Sequence, residues 1–133
     1  METLMMPGKV IEGHAKYEEK CNSCHQPFSK EKQGTLCRDC HKEVDADIKS
    51  TQGLHGHMDA TETECSHCHT DQQGLDADVI QLDKETFDHI KTVFSLKGAH
   101  TIVRCKAFNS RKKKYRDTAT ACVSCHENDD IHK

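Results

Sequence analysis

Four pentapeptides share one pattern along the 133-residue chain: a cysteine, two variable residues, a second cysteine and a histidine. They read CNSCH (21–25), CRDCH (37–41), CSHCH (65–69) and CVSCH (122–126). In a helical turn, side chains three and four positions apart share a face, so the two thiols and the imidazole can reach the same group. The pattern is the attachment signature of c-type haem, in which the thiols bond to the porphyrin and the histidine binds the iron.

Eight cysteines and four histidines therefore make up four predicted haem c sites. The thioether positions are Cys21, Cys24, Cys37, Cys40, Cys65, Cys68, Cys122 and Cys125, and the proximal iron ligands are His25, His41, His69 and His126. Zinc is the main alternative, because Cys24 and Cys37 have about the spacing of some zinc modules. A redox dithiol is a second alternative and a disulfide framework a third. None of them requires a histidine after every second cysteine, so the sequence favours haem.

Seven more histidines remain, and service as the sixth ligand of the iron explains this surplus. The favoured distal ligands are His14, His55, His89 and His100, with His57 as the alternative to His55 and His132 as a further reserve. Phe87 is positioned to pack against a ring near His89, and the glycines of GLHGH (53–57) allow a close approach to a macrocycle. Met58 is an alternative axial ligand that would raise the reduction potential. His67 lies inside its own motif, and we expect it at the surface.

Cys105 is the one cysteine without a partner three positions away. Its surroundings, GAHTIVRCKAFN (98–109), resemble GHAKYEEKCNSCH (13–25), where a histidine and a short spacer precede a complete motif. In this comparison Cys105 matches the first cysteine, Phe108 the second and Asn109 the proximal histidine. We interpret the segment as the degenerate remnant of a fifth site that holds no haem, with Phe108 filling the former porphyrin space. An unrelated free cysteine is the alternative.

The elements that must position these groups are short. Only 34% of the residues are hydrophobic and 5% aromatic, so side chains alone would supply a poor core. We expect a small, mainly helical and irregular fold with little or no β-sheet and a core formed by haems. Short helices are predicted at each motif and over residues 36–50, while 71–102 fits either a helix or an extended run. The chain is one predicted tetrahaem domain, 1–133, with internal modules at about 8–64 and 65–133.

Several phrases resemble a bacterial family of multihaem c-type cytochromes related to the class III, bis-histidine type. The phrases are CNSCHQPFSKEKQGTLCRDCHKEV, GLHGH, TFDHIKTVFSLKGAHTIVRC and KKYRDTATACVSCHENDDIHK. The resemblance covers residues 8–133. In that family FDH and GAH lead into a complete motif, which is interrupted here at Phe108 and Asn109. The resemblance implies a periplasmic or extracellular electron carrier whose haems have histidine on both faces.

Electron transfer is the function that we expect, because iron with histidine on both faces has no open position for a substrate. We expect no enzyme and no catalytic residues. One alternative is a small multihaem reductase with one open haem, which a high-spin resting haem would reveal. The other is a subunit of a polymeric cytochrome filament or another homo-oligomer, which size measurements would reveal.

Redox proteins are the partners that this function requires. A net charge of −3 indicates no nucleic-acid binding, and no apolar run is long enough to span a membrane. The start METLMMPGKV (1–10) lacks the basic region of a signal peptide, so we expect a mature chain from which that signal has been removed. Haem attachment to these motifs predicts a periplasmic or extracellular location. The run RKKK (111–114) is expected to be a solvated face, with a docking patch for an acidic partner as the alternative.

Overall fold

The computed structural model describes residues 6–29, 33–58, 64–80, 82–108 and 114–129. These residues form short helices and turns and contain no strand, which confirms the predicted mainly helical, irregular fold.

The chain divides into two compact units. Unit 1 comprises Met1–Asp83 with Lys91–Val93, and unit 2 comprises Lys84–Ile90 with Phe94–Lys133. The first three motifs belong to unit 1, and the fourth belongs to unit 2 together with the degenerate segment. The single domain and its two modules stay a prediction.

Eleven helices lie in the described parts of the chain. The α-helices are α1 (Gln33–Cys40), α2 (Lys42–Ser50), α3 (Gly53–His57) and α4 (Cys105–Phe108). The 3-10 helices are Glu12–Tyr17, Cys21–Ser23, Cys65–His67, His89–Lys91, Gly98–Ile102, Tyr115–Asp117 and Cys122–Ser124. No helix in these ranges combines the length and the apolar character that a bilayer crossing demands.

The helix predicted over residues 36–50 is two helices that meet at His41. Its backbone angles, φ −88° and ψ 68°, leave the helical region and make it the residue that precedes α2. The amide of His41 still donates to the carbonyl of Cys37 at 2.8 Å, so α1 closes its last turn before the chain changes direction. The second motif therefore spans the junction of two helices.

Charged side chains account for much of the local stability of α2. Glu43 and Asp45 lie in its first turn and Lys49 in its last. Negative charge at the start of a helix and positive charge at its end interact favourably with the helix dipole. The ammonium of Lys49 lies 2.6 Å from the carboxylate of Asp45, four residues before it, and holds the pKa of that carboxyl below its ordinary value. Arg38 of α1 approaches the same carboxylate at 3.7 Å, so this carboxylate also links the two helices.

A tight turn places α3 against α2. Thr51 adopts a left-handed conformation, with φ 53° and ψ 42°, and the amide of Gln52 donates to the carbonyl of Asp47 at 2.9 Å. Gly56 then approaches so closely that an added Cβ would lie 2.5 Å from the Asp47 carbonyl oxygen. The sequence predicted a close approach of these glycines to a macrocycle. The close approach of Gly56 seen here is to the backbone of α2, and it fixes the position of His55.

The N-terminal segment of unit 1 runs beside residues 71–75. The amide of Gly74 donates to the carbonyl of Lys9 at 2.8 Å, and that of Glu12 donates to the carbonyl of Leu75 at 3.1 Å. Val10, between these bonds, is the one buried hydrophobic residue of the described chain. This pairing holds the following 3-10 helix, which carries His14, against the segment that carries Asp71.

The segment 71–102 forms neither the continuous helix nor the extended run that its apolar pattern allowed. Its described part contains two 3-10 helices, His89–Lys91 and Gly98–Ile102, joined by bends. In unit 2 the second of these is followed by α4, then by Tyr115–Asp117 and by the helix that opens the fourth motif. The chain is therefore arranged as a series of short turns around its histidines.

Candidate functional site

The four CxxCH motifs fold into the same backbone turn. In each, the amide of the motif histidine donates to the carbonyl of the first cysteine, at 2.8 Å in the first two motifs and 2.9 Å in the last two. Three of the turns are 3-10 helices, and the second is the end of α1. These turns confirm the helices predicted at each motif, and they give the two cysteines and the histidine the spacing that haem attachment needs.

Three motif histidines each lie beside one of the favoured distal histidines. The ring centroids are 5.9 Å apart in two pairs and 6.1 Å apart in the third. The pairs are His14 with His41, His55 with His69, and His100 with His126. Two imidazoles that bind one metal ion from opposite sides, each through a bond of about 2 Å, have centroids roughly 6 Å apart. The separations therefore fit one iron between each pair.

Aromatic rings that simply pack together also lie 4.5–7 Å apart, at about the same distance. What distinguishes these pairs is their composition. Each joins the histidine of a CxxCH motif to a histidine that the sequence nominated for the opposite face. Ring packing alone gives no reason for this choice of partners, whereas ligation of one iron by both rings does.

The candidate site is thus defined by the motifs and by the paired imidazoles. No protein-family model, curated protein or solved structure matches this chain. The resemblance to bis-histidine cytochromes accordingly stays a prediction, and the functional argument depends on the residues themselves.

Hydrogen bonds at Nδ1 orient two of the motif histidines. The Nδ1 of His69 lies 3.1 Å from the carbonyl oxygen of Val79, and that of His126 lies 3.1 Å from a carboxylate oxygen of Asp129. Because these oxygens accept, Nδ1 is the protonated nitrogen and Nε2 keeps its lone pair. Metal-binding histidines show this arrangement, in which the second nitrogen donates to a carbonyl or a carboxylate.

His14 has the shortest of these contacts, 2.6 Å from its Nδ1 to a carboxylate oxygen of Asp71. The other oxygen of Asp71 accepts from the amides of Ile11, at 2.8 Å, and Gln72, at 2.7 Å. Burial acts to raise the pKa of Asp71, but these hydrogen bonds lower it on balance, so the group is a carboxylate. His14 therefore donates through Nδ1 and has Nε2 available for a metal.

Four other histidines in the described ranges lie outside these pairs. One of them, His67 inside the third motif, is exposed, as predicted. The ring of His89 packs edge-on against Phe87, with centroids 4.9 Å apart, beside a cavity of about 200 Å³ in unit 2. His25, of the first motif, is exposed beside a cavity of about 350 Å³. His57 is exposed and places its Nδ1 2.7 Å from the carbonyl oxygen of Gly53. The reserve ligand His132 lies outside the described residues.

The thiols of unit 1 lie close together. Burial, followed by the neighbouring thiols of Cys65 and Cys24, raises the pKa of the Cys37 thiol to about 11. Burial also raises the pKa of Cys24, with smaller effects of Asp71 and Cys40. All nine cysteines are described and none forms a disulfide. Within the described ranges, no three His, Cys, Asp or Glu side chains come together as a preformed metal site.

The degenerate segment follows a helix that carries a histidine, as the first motif does. In unit 1, a 3-10 helix carrying His14 precedes the turn at Cys21; in unit 2, a 3-10 helix carrying His100 precedes α4, which begins at Cys105. The Sγ of Cys105 lies 3.8 Å from the carbonyl oxygen of Lys84. The predicted packing of Phe108 and the position of Asn109 lie outside what is described. The interpretation as a lost fifth site stays a prediction.

Sequence reasoning missed the residues that accept the Nδ1 protons. Asp129 follows the histidine of its own motif by three positions, so an acidic residue just after CxxCH was an available signal. Asp71 accepts from His14, 57 residues before it, and no sequence pattern signals that pairing. Val79 contributes only its backbone carbonyl, ten residues from His69, and no pattern of side chains could have identified it.

Proposed function

We propose that this chain is an electron-transfer protein with four covalently attached c-type haems, each held by the two thiols and the histidine of one CxxCH motif. The observation that carries the proposal is the set of three imidazole pairs with centroids 5.9–6.1 Å apart. Each pair would hold one iron between a motif histidine and a distal histidine. When bound, each haem supplies a one-electron Fe(III)/Fe(II) couple.

The role of the protein side chains would be to occupy the ligand positions of the iron that the porphyrin leaves open. In the three pairs, the motif histidine and the distal histidine would both bind the iron and would leave no position at which a substrate could bind. Hydrogen bonds at Nδ1 hold His14, His69 and His126 in one orientation. A ligand set that does not rearrange favours transfer of electrons between partner proteins over chemistry at the iron, and two imidazoles favour a lower potential than histidine with methionine.

Exposed apolar side chains support a core formed by haems. Val10 is the one buried hydrophobic residue of the described chain, whereas Ile90, Val93, Ile102 and Val123 are 58–85% exposed. Val123 lies inside the fourth motif itself. Large apolar macrocycles at the motifs would cover such side chains, and covalent attachment would offset part of the ordering entropy of a chain with so little core.

Three attachment sites in one compact unit support transfer from haem to haem. The thiols of Cys24 and Cys65 belong to two other motifs and yet lie close enough to Cys37 to contribute to its raised pKa. Macrocycles attached there would lie close together, which is the arrangement that passes electrons through a protein. The physiological donor and acceptor are accordingly other redox proteins.

The net charge of the protein and the chemistry of haem attachment indicate the partners and the location of this transfer. The residues carry a net charge of −3, and haem propionates would add negative charge. Docking to basic or neutral partners would then be rapid and sensitive to salt. Attachment of haem to CxxCH takes place outside the bacterial cytoplasm, so a periplasmic or extracellular location belongs to this proposal.

Intact-mass analysis of the protein produced with a haem-attachment system tests the proposal. We expect the mass of the chain plus four haems, together with the visible spectrum of low-spin, six-coordinate iron. Metal analysis should give four irons and no zinc. A colourless protein, or one with zinc at the cysteines, would contradict the proposal; a high-spin haem at rest would instead favour the reductase.

A further inference from the structure

The three imidazole pairs differ in what accepts the Nδ1 proton. On the basis of the proposed haem attachment, the geometry points to Asp71 as a positioning residue that holds His14 on the second haem, attached at Cys37 and Cys40, and lowers the reduction potential of that haem.

Asp71 is itself held in place by backbone. One oxygen accepts from the amides of Ile11 and Gln72, and the other lies 2.6 Å from Nδ1 of His14. The His14 side chain is 34% exposed and that of Asp71 is 28% exposed. The bond between them is therefore partly shielded from water, where a charge-assisted hydrogen bond is stronger than at the surface.

The motif histidines of the other two pairs have weaker acceptors. His69 donates to a neutral carbonyl, that of Val79, at 3.1 Å. His126 does face a carboxylate, but Asp129 lies at 3.1 Å and its side chain is 77% exposed. Solvent screens that charge. Asp71 is thus the one acceptor among the three that is charged, close and shielded.

The direction of the effect follows from electrostatics. A carboxylate that accepts the Nδ1 proton makes the imidazole a stronger electron donor to the iron, and its own negative charge favours the more positive, oxidised iron. Both effects stabilise Fe(III) relative to Fe(II) and therefore lower the potential. Removal of the charge raises it.

Midpoint potentials of the individual haems, followed by NMR during a redox titration of the holoprotein, test the inference. Asp71→Asn removes the charge and keeps an oxygen acceptor, while Asp71→Glu keeps the charge. Asp76→Asn is the matched control, because it removes an exposed charge from the same segment. Intact mass establishes that each variant retains four haems.

We expect Asp71→Asn to raise the potential of the second haem, with a smaller change in Asp71→Glu and none in Asp76→Asn. Wild-type potentials in Asp71→Asn with four haems attached would overturn the inference and leave the proposed function intact. Equal shifts in Asp71→Asn and Asp76→Asn would also overturn it. A wild-type protein without haem would overturn both proposals.

A measurement on the wild-type holoprotein does not depend on the folding of any variant. The Nδ1 proton of His14 should exchange slowly with water and resonate downfield of that of His126, because its bond is shorter and more shielded. Exchange as fast as at the exposed His126 would overturn the inference.

Discussion

A histidine side chain offers two nitrogens, and in this protein the hydrogen bond of one decides the availability of the other. His14, His69 and His126 each donate through Nδ1 to an oxygen, which leaves Nε2 with its lone pair. His57 makes the same kind of bond, to the carbonyl of Gly53, although it is exposed. A hydrogen-bonded Nδ1 is therefore not sufficient to identify an iron ligand. A second imidazole about 6 Å away distinguishes the candidate ligands from a surface histidine such as His57.

Two histidines of α3 allow this distinction to be tested within one short helix. We predict that His55→Met raises the midpoint potential of the third haem, because methionine in place of an axial histidine favours reduced iron. His57→Met should leave all four potentials at their wild-type values. Redox titration of the two holoproteins measures both effects, and a shift in His57→Met without one in His55→Met would reverse the assignment.

Sequence reasoning named the candidate ligands but could not name their partners. His14 and His100 stand out because they occupy equivalent places before Cys21 and Cys105, and the sequence alone shows this local pattern. The pairing of His14 with His41 depends on the path of the chain between them, including the change of direction at His41. Such long-range geometry leaves no pattern in the sequence.

At the scale of elements, the contact between α2 and α3 depends on the absence of one side chain. A Cβ at residue 56 would lie 2.5 Å from the Asp47 carbonyl oxygen and 2.6 Å from the Thr51 carbonyl carbon. The backbone must move to relieve these clashes. Since His55 precedes this glycine directly, the position of its imidazole depends on the packing of the two helices.

We predict that Gly56→Ala lowers the free energy of unfolding of the holoprotein by about 1–3 kcal/mol, as expected for overpacking. Gly13→Ala is the control, because its nearest neighbour is a flexible Ile11 atom at 3.9 Å. Denaturant titration followed in the visible band measures both variants. Equal stability of the two would show that the α2–α3 contact is looser than described.

The degenerate segment can be tested by restoring its motif. The backbone of α4 is helical from Cys105 to Phe108, as at the end of α1 in the second motif. We predict that Phe108→Cys combined with Asn109→His gives a protein with the mass of five haems. Asn109→His alone provides one thiol and should stay at four. Four haems in the double variant would favour the reading of Cys105 as an unrelated free cysteine.

The element level also shows where composition misleads. The stretch 36–50 has no glycine or proline, and yet its helical structure is interrupted at His41. Segment 71–102 contains enough apolar residues for a regular element, yet its described part is built of bends and two 3-10 helices. Period and propensity predict packing against protein, and we expect them to fail where the proposed haems would take the place of a protein core.

For the whole molecule, the shortage of buried apolar residues has a direct consequence. With Val10 as the one buried hydrophobic residue of the described chain, the polypeptide has little to offset its ordering entropy. We predict that the chain produced without haem attachment is unfolded, whereas the holoprotein is ordered. Far-ultraviolet circular dichroism and hydrogen exchange of the two forms measure this. A haem-free chain with native-like helix content and protected amides would contradict it.

The location of the second motif constrains how the protein can be made. Its first cysteine, Cys37, is partly buried in the last turn of α1, and its histidine forms the junction with α2. An enzyme that joins a porphyrin to both thiols needs them accessible. If the proposed attachment takes place, it must therefore precede the partial burial of Cys37, and the order of events in biosynthesis is modification first and folding afterwards.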